Sequence, residues 1–270
     1  NNWFMMYFLS VVLIGTVYPI FLDVISSQKI SVGPPFYHKL IAPFLIPFLF
    51  AMAIGPSLKW IRSDLKDKIY LISLLIISIL ISFFIVKNFN TNVLINTILI
   101  SSALYLFYIT LRDFFNKKYK NFAQNTAHFG FSLLILSILF NNLFSSEIIT
   151  NLRVGETYDN SKTKIVFESI NQKNEKNYKS IVANFNIINS KGINNNLSPE
   201  LRIYNQPNIT TSEADIKTTL MKDKFIVINL VQNQDYFNVR YQVKPFMLWI
   251  WLSVILISFG GLMSFFKKRI

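Results

Sequence analysis

Two histidines and no cysteines limit the chemistry this chain of 270 residues can carry. Without a thiol, neither a disulfide nor a thiolate metal site can form within it. His128 sits in the apolar run from Ala127 to Leu143, eight residues beyond Lys120. On a helix that places it about 9–12 Å inward from a basic loop. An imidazole at that depth in an apolar span is costly without a partner, so it marks a candidate functional site. Three roles are open to it: an axial ligand of heme iron, a hydrogen bond between helices, or a proton relay. No phosphate-binding loop, glycine-rich dinucleotide motif, paired zinc ligands or nucleophile–histidine–acid set is present in the sequence.

The remaining polar residues have simpler readings. His38 follows Gly33-Pro34-Pro35-Phe36-Tyr37 at the outer mouth of a span, where it is solvated as an interfacial side chain. It and His128 lie towards opposite faces of a core about 30 Å thick, so they cannot straddle one iron. Asp23 is a solvated carboxylate at a helix end. Gly33-Pro34-Pro35 predicts a non-helical approach to the second span. The Gly260-Gly261 pair predicts close packing of another helix against the last span.

The elements that would position these residues are membrane spans. The chain is 52% hydrophobic, and six segments have the roughly 20 apolar residues that crossing requires. They run from Trp3 to Leu22, Leu40 to Leu58, Ile69 to Val86, Val93 to Leu111, Phe122 to Leu143 and Pro245 to Phe266. Core helices of a soluble protein would show a polar face, which these mostly lack. The net charge of +13 does not point to nucleic acid, because the basic residues punctuate the apolar runs rather than forming a patch. Lys59, Arg62, Lys66 and Lys68 follow the second span, Arg112, Lys117, Lys118 and Lys120 the fourth, and Lys267, Lys268 and Arg269 end the chain. The opposite loops carry only Lys29, Lys39 and Lys87. The positive-inside rule then predicts both termini inside and residues 145–244 outside. The first residue, Asn1, reads as an internal position of a longer protein or a processed product rather than a signal peptide.

Residues 145–244 differ in kind, with alternating runs Lys164 to Ser169, Ile181 to Ile188, Phe225 to Val231 and Tyr236 to Val243, and a turn at Ser190-Lys191-Gly192. That pattern predicts a small β domain, with disorder as the alternative in its Asn-rich stretches. Thirteen basic and ten acidic residues are mixed there, which implies no strong electrostatic partner. The expected fold is therefore a polytopic α-helical membrane protein with a mainly β extracytoplasmic domain before the last helix. Its expected divisions are 1–144 for five spans, 145–244 for the β domain and 245–270 for the last span and tail.

Several motifs, in order along nearly the whole chain, resemble the CcmF family of cytochrome c maturation proteins. They are Asn1-Asn2, Gly15-Thr16-Val17-Tyr18-Pro19 with Asp23, Lys29-Ile30-Ser31-Val32-Gly33-Pro34-Pro35, and Ile54-Gly55-Pro56. Ala127-His128-Phe129-Gly130, Pro199-Glu200-Leu201-Arg202-Ile203-Tyr204, Thr211-Ser212-Glu213-Ala214-Asp215-Ile216 and Trp249-Ile250-Trp251 complete the set. The resemblance implies a heme lyase component. Such proteins take heme from a covalent heme chaperone and join it to the Cys-x-x-Cys-His motif of apocytochrome c, alongside thiol-reducing and presenting subunits. It also implies a membrane b-type heme (heme b) with two histidine ligands, one matched by His128 and the other expected from the N-terminal half, which is thought to reduce the incoming heme iron. The family's tryptophan-rich segment and two outer histidines belong to that half and match nothing here, so no catalytic residue and no activity of this chain alone is expected. The implied setting is a bacterial or mitochondrial inner membrane, with lipid as a partner. Two other readings stand beside it: a non-catalytic scaffold of the assembly complex, and a transporter subunit, which the scarcity of charge within the spans disfavours.

Overall fold

The computed structural model describes residues 2–26, 30–57, 68–89, 91–115, 122–190, 192–231 and 235–266. Asn1, Lys191 of the expected turn, and the loop and tail residues Lys29, Lys59, Arg62, Lys66, Lys117, Lys118, Lys120, Lys267, Lys268 and Arg269 lie outside the described residues. Two compact units divide the chain, Asn1–Leu139 with Leu252–Ile270, and Phe140–Trp251.

Six helices are long and apolar enough to cross a membrane: α1 (Asn2–Ser26), α2 (Pro34–Ile54), α3 (Lys68–Val86), α4 (Val93–Phe115), α5 (Phe122–Phe144) and α6 (Met247–Phe266). Several boundaries differ from the sequence reading: α1 runs on to Ser26, α2 begins at Pro34 and ends at Ile54, and α4 runs on to Phe115. Pro34 and Pro35 do not hold the chain out of helix α2 but open it, after an extended Gly33. Proline lacks a backbone donor that the first turn would leave unpaired in any case, and its fixed φ suits that position. Helix α4 continues past Leu111 to Phe115, which brings Arg112 and Asp113 into its last turn.

Within the helical unit, α4 is the central helix, with 61% of its apolar window buried against 11–22% for the others. Packing follows from aromatic and small residues. The Tyr7 hydroxyl donates to the Leu40 carbonyl at 2.9 Å and the Tyr7 ring meets Phe44 at 4.2 Å, joining α1 to α2. Phe50 of α2 packs on Tyr105 of α4 at 5.6 Å. The hydroxyls of Thr110 and Ser132 share a buried 3.0 Å hydrogen bond between α4 and α5. Such side chains join helices where lipid supplies no hydrophobic drive for association.

The second unit is a β-sandwich. Its strands are β1 (Ser146–Leu152), β2 (Thr157–Asp159), β3 (Thr163–Asn174), β4 (Tyr178–Asn189), β5 (Asn194–Leu197), β6 (Glu200–Tyr204), β7 (Ile209–Glu213), β8 (Asp215–Thr218), β9 (Lys222–Leu230) and β10 (Phe237–Pro245). One sheet runs β1-β10-β9-β8. The other runs β2-β3-β4-β6-β7, with β5 also paired to β4. All pairings are antiparallel. Alternate residues point inward, so Ile165, Phe167, Phe185, Ile187, Ile226, Ile228, Val239 and Tyr241 form one core. Phe167 and Phe185 stack at its centre, 4.4 Å apart. The four alternating runs read from sequence lie in β3, β4, β9 and β10. Gly192, at φ +71, closes the turn after β4 in a conformation that favours glycine.

Candidate cofactor site

His128 stands in the second turn of α5, where the helix is approached closely from one side and hollowed on another. The close approach comes from α6. A Cβ added at Gly260 would lie 2.7 Å from the Ala127 backbone nitrogen, and one at Gly130 would lie 2.9 Å from that of Ile257. Only glycine at both positions lets the helices meet this closely on either side of His128. The expectation of close packing at the glycine pair holds for Gly260 and not for Gly261, which has nothing within 4 Å.

The hollow is a cavity of about 450 Å³ lined by Phe4 and Met5 of α1, Phe48, Ala51 and Met52 of α2, Gly55 and Pro56 just beyond it, and Gln124 and His128 of α5. Gln124 and His128 are four residues apart and so share one helix face. That volume lies within the range of small-molecule and cofactor sites. Phe48 also meets Phe131 edge-on at 5.8 Å, tying α2 to the same stretch of α5. Among the described residues, no group of three or more His, Cys, Asp or Glu is placed to hold a bare metal ion. A single imidazole in an aromatic and thioether-lined cavity suits one face of a planar, mostly apolar cofactor better than a hydrated cation.

Asp113, which the sequence reading left outside the spans, interacts electrostatically with His128. Arg112 pairs with its carboxylate at 3.2 Å, and Asn125 of α5 donates to its backbone carbonyl at 3.1 Å. The ring contacts of Phe114 with Phe122 and Phe129 fix the same meeting of α4 and α5. Nothing in the spacing of Asp113 and His128 along the chain announces this. It emerges from the length of α4 and the hairpin it makes with α5. His38 lies elsewhere, exposed near the start of α2, and roughly 20 Å along that helix from Ala51. Asp23 is exposed in the last turn of α1.

In the sandwich, Glu147 of β1 accepts from Arg240 and Gln242 of β10, and these bonds hold its carboxyl below the ordinary glutamate range. Burial pushes the Tyr241 phenol up to about 12, and its hydroxyl has no hydrogen-bond partner among the described residues.

Six apolar helices and a β-sandwich placed ahead of the last of them define a polytopic α-helical membrane protein. Residues 143–245 match the family model described as the CcmF C-terminal beta-sandwich. Over its whole length the chain is similar to the cytochrome c-type biogenesis protein CcmF of Pseudomonas fluorescens, at 26% identity and covering 43% of that protein. Its similarity to CcmF of Escherichia coli (strain K12) is 23%, again across the whole chain and 43% of the relative. The fold matches a solved cytochrome c heme lyase CcmF with a TM-score of 0.72 and 19% identity, over 98% of this chain and 44% of that one. The chain thus spans less than half the length of the relatives it matches. The similarity is therefore to the CcmF proteins, with residues 143–245 matching their C-terminal beta-sandwich.

Proposed function

We propose that this chain is a component of a cytochrome c heme lyase in which His128 is one axial ligand of a membrane b-type heme. The observation that carries this reading is the cavity of about 450 Å³ beneath α1 and α2, onto which His128 opens. Phe4 and Phe48 offer flat apolar contact beside the thioethers of Met5 and Met52, and the imidazole supplies an iron ligand. Gly130 and Gly260 hold the ring's own helix against α6, so its position is set by packing rather than by a flexible loop. When bound, the heme supplies a one-electron redox centre. A second histidine ligand would be supplied by the N-terminal half of the lyase. The chain alone does not join heme to protein.

In this reading the protein lies in a bacterial or mitochondrial inner membrane with both termini inside, and residues 145–244 are exposed in the periplasm or intermembrane space. Residues 1–144 and 245–270 form its membrane part. Its partners are the N-terminal half, the covalent heme chaperone, apocytochrome c and the subunits that reduce and present its thiols. The test is the yield of holocytochrome c in cells whose lyase carries His128→Ala or His38→Ala. The expected result is a severe loss for the first and an unchanged yield for the second. A normal yield and normal heme content with His128→Ala would refute the assignment.

A further inference from the structure

We propose that the β8–β9 hairpin is a lipid contact, its tip residues Leu220 and Met221 entering the interfacial layer of the bilayer while Lys217 and Lys222 face anionic phosphate headgroups. The depth of the tip follows from α6. Its 20 residues, Met247–Phe266, span about 30 Å, the thickness of the hydrocarbon core, so Met247 stands at the core boundary. The tip is bonded to that first turn. The Trp249 indole donates to the Leu220 carbonyl at 3.0 Å, and the Phe246 amide donates to the Met221 carbonyl at 2.9 Å. The backbone of the tip is therefore held at the level where tryptophan marks the membrane interface. Leu220 and Met221 are nonetheless 60% and 56% exposed, so the fold leaves two large apolar side chains uncovered at that depth.

Charge supports the same occupant. Lys217 of β8 pairs in register with Lys224 of β9, and Lys222 shares that face by strand alternation. Among the described residues none of the three takes part in an ion pair. Lys224 is buried, and it feels the two other lysines as like charges. Asp223 points to the other face, and the Asp215 carboxylate is engaged by the Ser198 amide at 2.5 Å. Phosphate headgroups beside the exposed Lys217 and Lys222 would relieve this repulsion, as basic residues near a membrane surface attract anionic lipid.

The absence of cysteine makes a site-directed probe direct. The full chain carrying Leu220→Cys, Met221→Cys or Leu230→Cys is labelled with an environment-sensitive nitrobenzoxadiazole and reconstituted into phosphatidylcholine vesicles, with and without phosphatidylglycerol. Leu230 is the control, 49% exposed at the far end of β9, roughly 25 Å away. Labels at 220 and 221 are expected to shift to the blue and to be quenched by nitroxide lipid, while the label at 230 is quenched by aqueous iodide. Phosphatidylglycerol is expected to deepen the effect at 221, and K217E/K222E to abolish that gain. Iodide quenching at 221 equal to that at 230 would overturn the lipid contact. So would shielding at 221 that arises only when other subunits are added, which would assign the tip to a protein partner. An unchanged response to phosphatidylglycerol would overturn the role of the lysines.

Discussion

Gly260→Ala adds one methyl group where the structure has no room for it. Its Cβ would lie 2.7 Å from the Ala127 nitrogen, 2.8 Å from the Ala123 carbonyl oxygen and 2.9 Å from the Ala127 Cβ. Ordinary contact begins near 3.4 Å. The neighbours are mostly backbone, so the strain cannot be relieved by a rotamer change; α5 and α6 must separate by about 0.7 Å. Overpacking of that kind costs about 1–3 kcal/mol. Gly261→Ala is the matched control, since nothing lies within 4 Å of its added Cβ and helix propensity favours alanine there by up to ~1 kcal/mol. Thermal unfolding of the purified full chain in detergent, followed by tryptophan fluorescence, should rank Gly260→Ala below wild type and Gly261→Ala at or above it. Equal midpoints for the two variants would refute the close approach of α5 and α6, and with it the account of how His128 is held.

Three further outcomes follow from other contacts. A double-mutant cycle of Thr110→Val and Ser132→Ala should show a coupling of roughly 0.6 kcal/mol, the size usual for a hydrogen bond between membrane helices, and additivity would mean that the buried 3.0 Å pair is not formed. Tyr241→Phe should leave stability unchanged or raise it by up to ~1 kcal/mol, because it removes a buried hydroxyl that has no partner among the described residues. The folded phenol is raised to about 12, so its neutral form stabilises the fold below the unfolded value near 10 and that contribution fades as pH rises towards 12; the variant should flatten this alkaline decline in a denaturant titration. Glu147 is held below its ordinary range by Arg240 and Gln242, so its contribution is present at neutral pH and lost as pH falls through the folded value. Glu147→Gln should make stability less dependent on acid, which urea midpoints at two pH values would register.

The helices were legible because each span is apolar all round, a signal that survives any uncertainty about its ends. The ends were less so. Pro34 and Pro35 carry the same residues whether they precede a helix or open it, and only the extended Gly33 before them distinguishes the two. Strands β3, β4, β9 and β10 showed clean alternation because they supply the core from Ile165 to Tyr241. The other strands are short or lie at sheet edges. Strand β1, for example, mixes Glu147, Thr150 and Asn151 with its apolar residues, since among the described residues it is an edge strand of its sheet. Chemistry alone singled out His128 as a rare imidazole in an apolar run. Its setting was not readable: the cavity gathers residues from 4 to 128 along the chain, and Asp113 comes within electrostatic range of His128 because α4 runs one turn further than the sequence reading placed its end.

The central claim rests on an imidazole facing a cofactor, and chemical rescue tests it most directly. The proposed lyase, assembled from this chain carrying His128→Gly and the proposed N-terminal half, is to be purified with and without added imidazole, and its reduced-minus-oxidised spectrum recorded. The account predicts that the b-type signal of the unaltered complex is lost in the variant and returns when imidazole fills the space left by the side chain. A full signal in the variant without imidazole would contradict it.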